Sequence, residues 1–426
     1  MFRSLRVRNY RLFAGGQVVS NTGTWMQRVA QDWLVLTLSH NSGTALGIVT
    51  ALQFVPTLFF GLWGGVIADR YDKRRLLLVT QTVMALIAGT LGSLELAGVV
   101  RVWQVDVLAL LLGLATVVDN PTRQSFVIEM VGPDDVANAI SLNSATFNSA
   151  RIIGPAVAGV LISLVGTGFV FVINAGSYLG PILCLLMMRV VELHRAKPLV
   201  RAKGQVIEGL RYVRSRADLM LPMLLVFVVA TLGLNFQVTI ALMAKGVFHT
   251  GAESYGLLST MIAIGSLIGA LLSTRRQGRP RLRLLLGSAF AFGACELTAS
   301  LMPTYVAFAV LLVPTGLAAI TFTTAANASV QMGTSSSMRG RVMSVYLLVF
   351  MGGAPFGSLF IGWLAQVLSP RVSIGMGGIA SVAAAAVLGL SLARKVGLRV
   401  EPRPVPVPHL HVLMPERVVS AQRPSS

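Results

Sequence analysis

The sequence predicts an all-α membrane protein with twelve transmembrane helices arranged as two related halves of six. Three observations support this prediction: the composition, a series of long apolar runs, and a polar segment that divides those runs equally. The 426 residues are 54% hydrophobic and only 12% charged, with a mean hydropathy of +0.73. Soluble domains carry about 25% charged residues, and disordered chains combine low hydrophobicity with high charge. The composition therefore excludes both a water-soluble globular protein and a disordered chain.

Each predicted transmembrane helix is an apolar run long enough to cross a bilayer, which takes about 20 residues. The first run is too long for a signal peptide and has no small-residue cleavage site behind it, so we expect it to be a retained span. The runs are 12–38, 45–68, 76–97, 103–127, 137–164, 167–188, 219–246, 252–274, 284–302, 305–328, 340–367 and 372–393.

The orientation of the spans follows from the basic residues, which are retained on the cytoplasmic side of a membrane. With the N-terminus inside, 29 of the 35 Lys and Arg residues fall in cytoplasmic segments. Only Arg101, Lys245 and Arg371 fall in outer loops. We therefore predict that both termini are cytoplasmic, and that the net charge of +19 reflects topology rather than binding to nucleic acid.

The spans and the polar segments define four regions of the chain. Residues 1–188 form an N-terminal six-span half, and 219–394 form a C-terminal six-span half. In the linker 189–218, apolar residues recur at helical spacing opposite charged ones, which predicts an amphipathic helix on the inner membrane surface. The proline-rich tail 395–426 contains no span, so we expect a cytoplasmic and largely disordered segment.

Matched residues indicate that the two halves are related. Some recur 209 residues later in the chain and others 203 residues later. Repeated halves of this kind normally hold a substrate site near the middle of the membrane, between them. The matched pairs are His40 with His249, Gly47 with Gly256, Ser141 with Ser344, Gly154 with Gly357, and Gly159 with Gly362.

The loop between spans 2 and 3 places an acid beside a basic cluster at a helix junction. A glycine there permits close helix contact, the aspartate can face the N-terminus of a neighbouring helix, and the cations hold the loop at the inner leaflet. This pattern predicts a gating element, although a basic loop with an incidental acid is the alternative. The residues are Gly65, Asp69, Arg70, Lys73 and Arg74.

This loop resembles the GxxxDRxGRR signature of the major facilitator superfamily, with Asp72 where the family usually has glycine. Span 5 contains Gly154, Pro155 and Gly159, which resemble the GPxxxG element of exporters in that superfamily. Small residues at this spacing also serve simply for close helix packing.

Further segments are similar to one bacterial branch, the transmembrane secretion effectors, which includes enterobactin exporters and macrolide-efflux proteins. The resemblance implies the twelve-helix major facilitator fold, a location in the bacterial inner membrane, and export. The segments are 9–13, 24–31, 119–124 and 148–155.

Charged residues within membrane spans are costly and often functional, and here three cations, Arg28, Arg123 and Arg151, face three acids, Asp32, Asp119 and Glu296. On span 1, Trp25, Arg28 and Asp32 share one helical face, and Arg151 shares a face of span 5 with Asn148. These stripes predict a polar cavity, whereas a local Arg28–Asp32 ion pair is the structural alternative. The candidate substrate-binding residues are Trp25, Arg28, Asn148, Arg151, Asn235 and Gln237.

Three acids within the spans are candidate carriers of a coupling proton. Glu296 is the first choice because no basic residue lies within one helical turn of it, although it could instead face an outer vestibule. Asp32 is its rival, and Asp119 is the third candidate. Because Arg123 is one turn from Asp119, it forms either a local ion pair or a gate with Asp69.

The sequence predicts a proton-coupled exporter of small organic molecules such as a drug, siderophore or secondary metabolite, acting by alternating access. A lipid or lysolipid mover, or an importer of the same fold, is the alternative. No phosphate-binding G-x-x-x-x-G-K-[ST] loop occurs, so an ion gradient is the expected energy source. All five histidines lie in loops or the tail, which argues against an enzyme. We expect a monomer in the lipid bilayer, with a small-molecule substrate and protons as partners, and without cofactor, metal site or nucleic acid.

Overall fold

A computed structural model describes residues 3–132, 135–194, 205–276, 278–396, 399–403 and 409–413. These residues are almost entirely helical, as predicted. The first elements are α1 (Arg8–Leu38), α2 (Gly43–Arg70), α3 (Lys73–Leu96), α4 (Val102–Val131), α5 (Val136–Ser177), α6 (Leu179–Leu186) and α7 (Gln205–Arg214). The remaining helices are α8 (Ala217–Val228), α9 (Phe236–Leu242), α10 (Ala252–Thr274), α11 (Leu282–Ser300), α12 (Tyr305–Gly333), α13 (Arg339–Val367) and α14 (Pro370–Val396).

Ten helical stretches of the described residues are long and apolar enough to cross a membrane. One of them, Val136–Leu186, covers two predicted spans, and its helical path breaks at Gly166, where φ is 84°. Glycine tolerates this conformation because it has no Cβ. Helix α1 is 31 residues long but is not among the ten, since its polar side chains lower the hydropathy. With α1 and the break at Gly166, the ten stretches accommodate the twelve predicted spans.

Side-chain caps begin several of these helices. The Ser42 side chain accepts a hydrogen bond from the backbone N–H of Ala45 at 3.2 Å, at the start of α2. Asp72 does the same for Arg75 at 3.0 Å, at the start of α3. Such caps satisfy backbone donors that have no partner inside the helix. The acid that departs from the family signature therefore caps α3 with a side-chain hydrogen bond that a glycine could not supply.

Predicted span 7 is a broken helix. Between α8 and α9, the segment Val229–Gly233 is a π-helical turn, and Leu234 and Asn235 leave helical geometry. A second π-helical turn, Met243–Val247, follows α9. Irregular backbone inside a membrane is tolerated where protein surrounds it. After the break, α9 packs against α1, so its side chains lie near that helix.

We define the far end of the bundle as the end where α1 finishes and α2 begins, and the near end as the opposite one. The main hydrophobic core lies towards the far end and takes residues from α1, α2 and α5 as well as α10, α12 and α13. Towards the near end, two separate cores form, one within the first six spans and one within the last six. The two halves are therefore joined at the far end.

Repeat-related glycines make this joint. A Cβ on Gly47 of α2 would lie 2.5 Å from the carbonyl oxygen of Ser358 on α13, and one on Gly362 would lie 3.0 Å from Gly47 Cα. In the same way, a Cβ on Gly256 of α10 would lie 3.0 Å from Gly159 Cα on α5. The residues matched in sequence as Gly47 with Gly256, and Gly159 with Gly362, thus form two equivalent contacts between the halves. His40 and His249 also share a left-handed backbone, with φ of 53° and 52°.

Helix α7 and a pair of strands in the tail lie outside the spans. Helix α7 packs against α13 and carries an ion pair, 2.6 Å long, between Glu208 and Arg341. Its Val213 is buried, whereas Ile207 and Leu210 are exposed. In the tail, β1 (Arg399–Arg403) and β2 (His409–Leu413) pair antiparallel. The other residues from 397 onwards lie outside the described ones, so the largely disordered tail stays a prediction.

Candidate functional site

A cavity of about 210 Å³ lies between the two halves, beside the shared core. Helix α1 supplies three of its polar side chains, α5 and α9 supply one each, and α10 supplies Tyr255 and Ser259. The stripes predicted on spans 1 and 5 thus meet in one place. The predicted residues that line it are Trp25, Arg28, Asp32, Arg151 and Gln237, together with Pro155 of the span 5 element.

Asp32 is fully buried and accepts hydrogen bonds from the other half of the molecule. Gln237 Nε2 on α9 donates to Asp32 Oδ1 at 2.9 Å, and the Tyr255 hydroxyl on α10 donates to Oδ2 at 2.7 Å. The structural alternative, a local ion pair between Arg28 and Asp32, is not formed, since no Arg28 nitrogen lies within ion-pair distance of the Asp32 carboxylate. We call Asp32, Gln237 and Tyr255 the cross-half cluster.

The two arginines of the cavity share an aromatic neighbour. The guanidinium carbon of Arg28 lies 4.7 Å from the centre of the Trp25 ring, and that of Arg151 lies 5.8 Å from it. Phe147 packs edge-on against the same ring at 5.7 Å. A Cβ on Gly154 would lie 2.5 Å from Trp25 Cβ, so the glycine allows α5 to approach α1 here.

Two predicted binding residues do not line the cavity. Asn148 Nδ2 donates to the Ser144 carbonyl of its own helix at 2.8 Å. Asn235 is buried at the break in span 7 and donates to the Thr231 carbonyl, also at 2.8 Å. Asparagine side chains commonly form hydrogen bonds with nearby backbone groups in this way. Helical spacing alone does not reveal such bonds.

Glu296 lies on α11 and is 3% exposed, so it does not face a water-filled vestibule. Its Oε2 atom is buried and has no hydrogen-bond partner. The surrounding backbone is close, because a Cβ on Gly233 or Gly377 would lie 3.1 Å or 3.3 Å from that oxygen. Phe236 lines both the cavity and the small space beside Glu296, so the carboxyl lies behind the cavity wall.

Asp119 forms the local ion pair with Arg123. Its Oδ1 also accepts hydrogen bonds of 2.8 Å from Thr80 and Gln81 on α3. Arg123 in turn donates to Asn21 Oδ1 on α1 at 3.1 Å. These contacts link α1, α3 and α4, so the ion pair of Asp119 and Arg123 has a structural role.

The basic residues of the loop between α2 and α3 bind to several helices of their own half. Lys73 forms a buried 2.7 Å ion pair with Glu129 of α4, an acid that our sequence analysis missed. Arg74 Nε donates to the Leu185 carbonyl at the end of α6 at 2.6 Å. Asp69 and the exposed Arg70 end α2 beside them, and Gly65 is buried one turn earlier.

The span 5 element divides between two contacts. Gly154 faces α1 near Trp25, as described above. A Cβ on Gly159 would lie 2.9 Å from the Ala252 carbonyl oxygen on α10. One face of α5 therefore packs within its own half, and the other forms part of the joint between halves.

Comparison with known proteins places these observations in a family. The description "transmembrane secretion effector" belongs to the family model that matches residues 1–417. The staphyloferrin A transporter of Staphylococcus aureus is 27% identical over 389 residues, covering 89% of this chain and 95% of that protein. The multidrug efflux pump Tap of Mycolicibacterium fortuitum is 26% identical over 367 residues, covering 83% and 88%.

A solved structure shares the fold. The inward-facing, occupied form of a bacterial homologue of the human lysosomal transporter Spinster has a TM-score of 0.71 at 16% identity, covering 91% of this chain and 97% of that one. At this identity the likeness concerns the fold alone.

Proposed function

The chain belongs to the transmembrane secretion effector family of major facilitator transporters, and we propose that it exports small organic molecules in exchange for protons. It is a multi-pass membrane protein and a secondary transporter rather than an enzyme. The observation that carries the proposal is the charged cavity between two halves whose described residues share a core at the far end and form separate cores at the near end. A transporter that works by alternating access needs such a site and such a joint.

We also propose an orientation of the bundle in the membrane. The distribution of basic residues supports a near end in the cytoplasm of a bacterial cell, with both termini there. The joined far end then faces outward, and the arrangement described above is the inward-facing one. Since the cavity is complete within one chain, we propose that a monomer carries out transport and that no cofactor takes part.

We assign the coupling proton to Asp32. Its carboxylate lies in the cavity and accepts hydrogen bonds from both Gln237 and Tyr255 across the joint. Hydrogen bonds to an ionised acceptor are about twice as strong as neutral ones. Protonation of Asp32 would therefore weaken the cross-half cluster and favour separation of the far ends, which links a proton to the change of state.

Glu296 is the second candidate for the proton, because its Oε2 atom is buried without a partner. Against it, all the close neighbours of Glu296 described above belong to the last six spans, so its protonation would act on the two halves only indirectly. Asp119 is the weakest candidate, since Arg123, Thr80 and Gln81 already occupy its carboxylate.

The proposal is tested with the full chain in inverted vesicles under an imposed pH gradient, screened against a panel of acidic, basic and neutral compounds. Accumulation that follows the gradient and is lost in Asp32→Asn supports it. If the gradient drives no member of the panel, proton-coupled export is wrong. Movement of a lysolipid, or transport only towards the cytoplasm, would support the lipid-moving or importing alternative instead.

A further inference from the structure

The charges lining the cavity do not balance. Of the described residues that line it, two are cations, Arg28 and Arg151, and one is an acid, Asp32. Asp32 binds Gln237 and Tyr255 rather than either arginine. When Asp32 is ionised, the cavity keeps one positive charge in excess.

Neither guanidinium has a partner of its own. Among the described residues, no acid lies within ion-pair distance of Arg28 or Arg151, and no oxygen accepts a hydrogen bond from them. Each guanidinium instead lies against the Trp25 ring. An aromatic face attracts a cation but does not neutralise it. The two guanidiniums also repel one another, as like charges do. Charged groups inside a membrane protein normally have a partner of opposite charge. The two guanidiniums therefore lack an anion.

We propose that the cavity binds the carboxylate of an organic acid, held by the guanidiniums of Arg28 and Arg151. This deepens the proposed function and rests on it, since the bound acid would be the exported molecule. Arginine presents planar N–H donors that match a carboxylate in two parallel hydrogen bonds. One carboxylate would bring the charge of the cavity to zero.

The shape of the cavity supports an organic acid rather than a simple ion. Apolar side chains, among them Val29, Ile240 and Ile262, line much of its wall. Its volume of about 210 Å³ is below the roughly 300 Å³ at which drug-sized pockets begin. It therefore takes an acidic group with a small apolar body, while a larger molecule would extend towards the near end.

The test uses three probes that share a naphthalene ring and differ in charge: naphthalene-2-carboxylate, the neutral carboxamide and 2-naphthylmethylammonium. Binding to the purified full chain in nanodiscs is measured by calorimetry, with acetate and chloride as ions without an apolar body. We expect the carboxylate to bind about tenfold more tightly than the amide, because hydrogen bonds to a charged acceptor are stronger than those to a neutral one. The ammonium should bind more weakly than either.

Arg28→Gln and Arg151→Gln should each remove most of that preference, whereas Arg28→Lys should keep part of it. Arg339→Gln, which changes an exposed arginine far from the cavity, is the matched control and should bind as the unmodified chain does. Equal binding of carboxylate and amide, preference for the ammonium, or acetate binding as tightly as the naphthoate would each overturn the inference. So would an unchanged preference in both glutamine variants. A failure of proton coupling would appear separately, as loss of gradient-driven transport with the binding preference intact.

Discussion

Asp32 and Glu296 are both buried acids without an ion-pair partner among the described residues, yet their surroundings differ. Asp32 accepts two hydrogen bonds, and both donors belong to the other half of the molecule. Glu296 has one oxygen with no partner, and its close neighbours belong to its own half. A buried polar atom that lacks a hydrogen bond costs about 1–3 kcal/mol. Glu296 therefore destabilises local packing, whereas Asp32 stabilises the contact between halves.

This difference indicates what a proton can do at each place. At Asp32, a change of charge acts on bonds that join α1 to α9 and α10, so it can shift the balance between two arrangements of the halves. At Glu296, the same change acts on the packing of α11 against α14 and the π-helical turn Val229–Gly233.

Asp32→Asn is expected to have the largest effect. The amide keeps the shape of the side chain but removes the charge, and its NH₂ group faces a donor from Gln237 or Tyr255. We expect accumulation driven by a pH gradient to fall about tenfold or more, while exchange of substrate without a gradient continues. Proteoliposome assays with and without the gradient measure both. Gradient-driven accumulation at the unmodified level would show that Asp32 carries no coupling proton.

Gly256→Val is expected to have the second-largest effect, because it disturbs the cross-half cluster without changing Asp32. Its Cβ would meet the Pro155 carbonyl oxygen and push α10, with Tyr255, away from α5. Forcing extra atoms into a packed contact costs about 1–3 kcal/mol. We expect a lower melting temperature in detergent together with weaker coupling.

Gly287→Val on α11 is the matched control for that variant, since a Cβ there has nothing within 4 Å. It should melt as the unmodified protein does. If Gly256→Val melts and transports like its control, the glycine contact does not hold the halves together.

Much of this arrangement is readable from the sequence because it depends on local properties. Apolar length gives the spans, and helical spacing brings Trp25, Arg28 and Asp32 to one face. Spacing also predicts an Arg28–Asp32 pair, which the structure replaces with donors from distant helices. Tyr255 was missed because its partner is 223 residues away. No local pattern distinguishes it from any other aromatic residue in an apolar span.

At the near end too, the sequence does not predict which distant residues contact each other. The basic cluster of the loop between α2 and α3 is visible in the sequence, but the partner of Lys73 is Glu129, 56 residues later. Likewise, Asn148 shares a helical face with Arg151 and yet binds the Ser144 carbonyl. Which of several possible partners a polar side chain takes depends on how the helices pack.

Tyr255→Phe should have a smaller effect than either variant above, because it removes one of the two donors to Asp32. A single hydrogen bond to a charged group contributes about 1.5–3 kcal/mol. We expect gradient-driven accumulation to fall severalfold and the melting temperature to fall slightly. The control is Tyr305→Phe, which removes a 3.0 Å hydrogen bond to the carbonyl of Ser254, the residue before Tyr255. This variant should leave coupling unchanged. Equal coupling in the two variants would remove Tyr255 from the cross-half cluster.

Glu296→Gln should have the smallest effect on coupling, and it tests the comparison most directly. The amide has the same size as the carboxyl and supplies two donors close to the backbone around Gly233 and Gly377. Because the unpartnered oxygen contributes no bond that could be lost, we expect the free energy of unfolding to change by less than about 1 kcal/mol. Accumulation under a pH gradient should stay within about twofold of the unmodified level, since the cross-half cluster is intact. Measured beside Asp32→Asn in the same vesicles, the two amide variants separate the carboxyls. Loss of accumulation in Glu296→Gln with retention in Asp32→Asn would move the coupling proton to α11, and the contrast between joined and isolated carboxyls would no longer explain the mechanism.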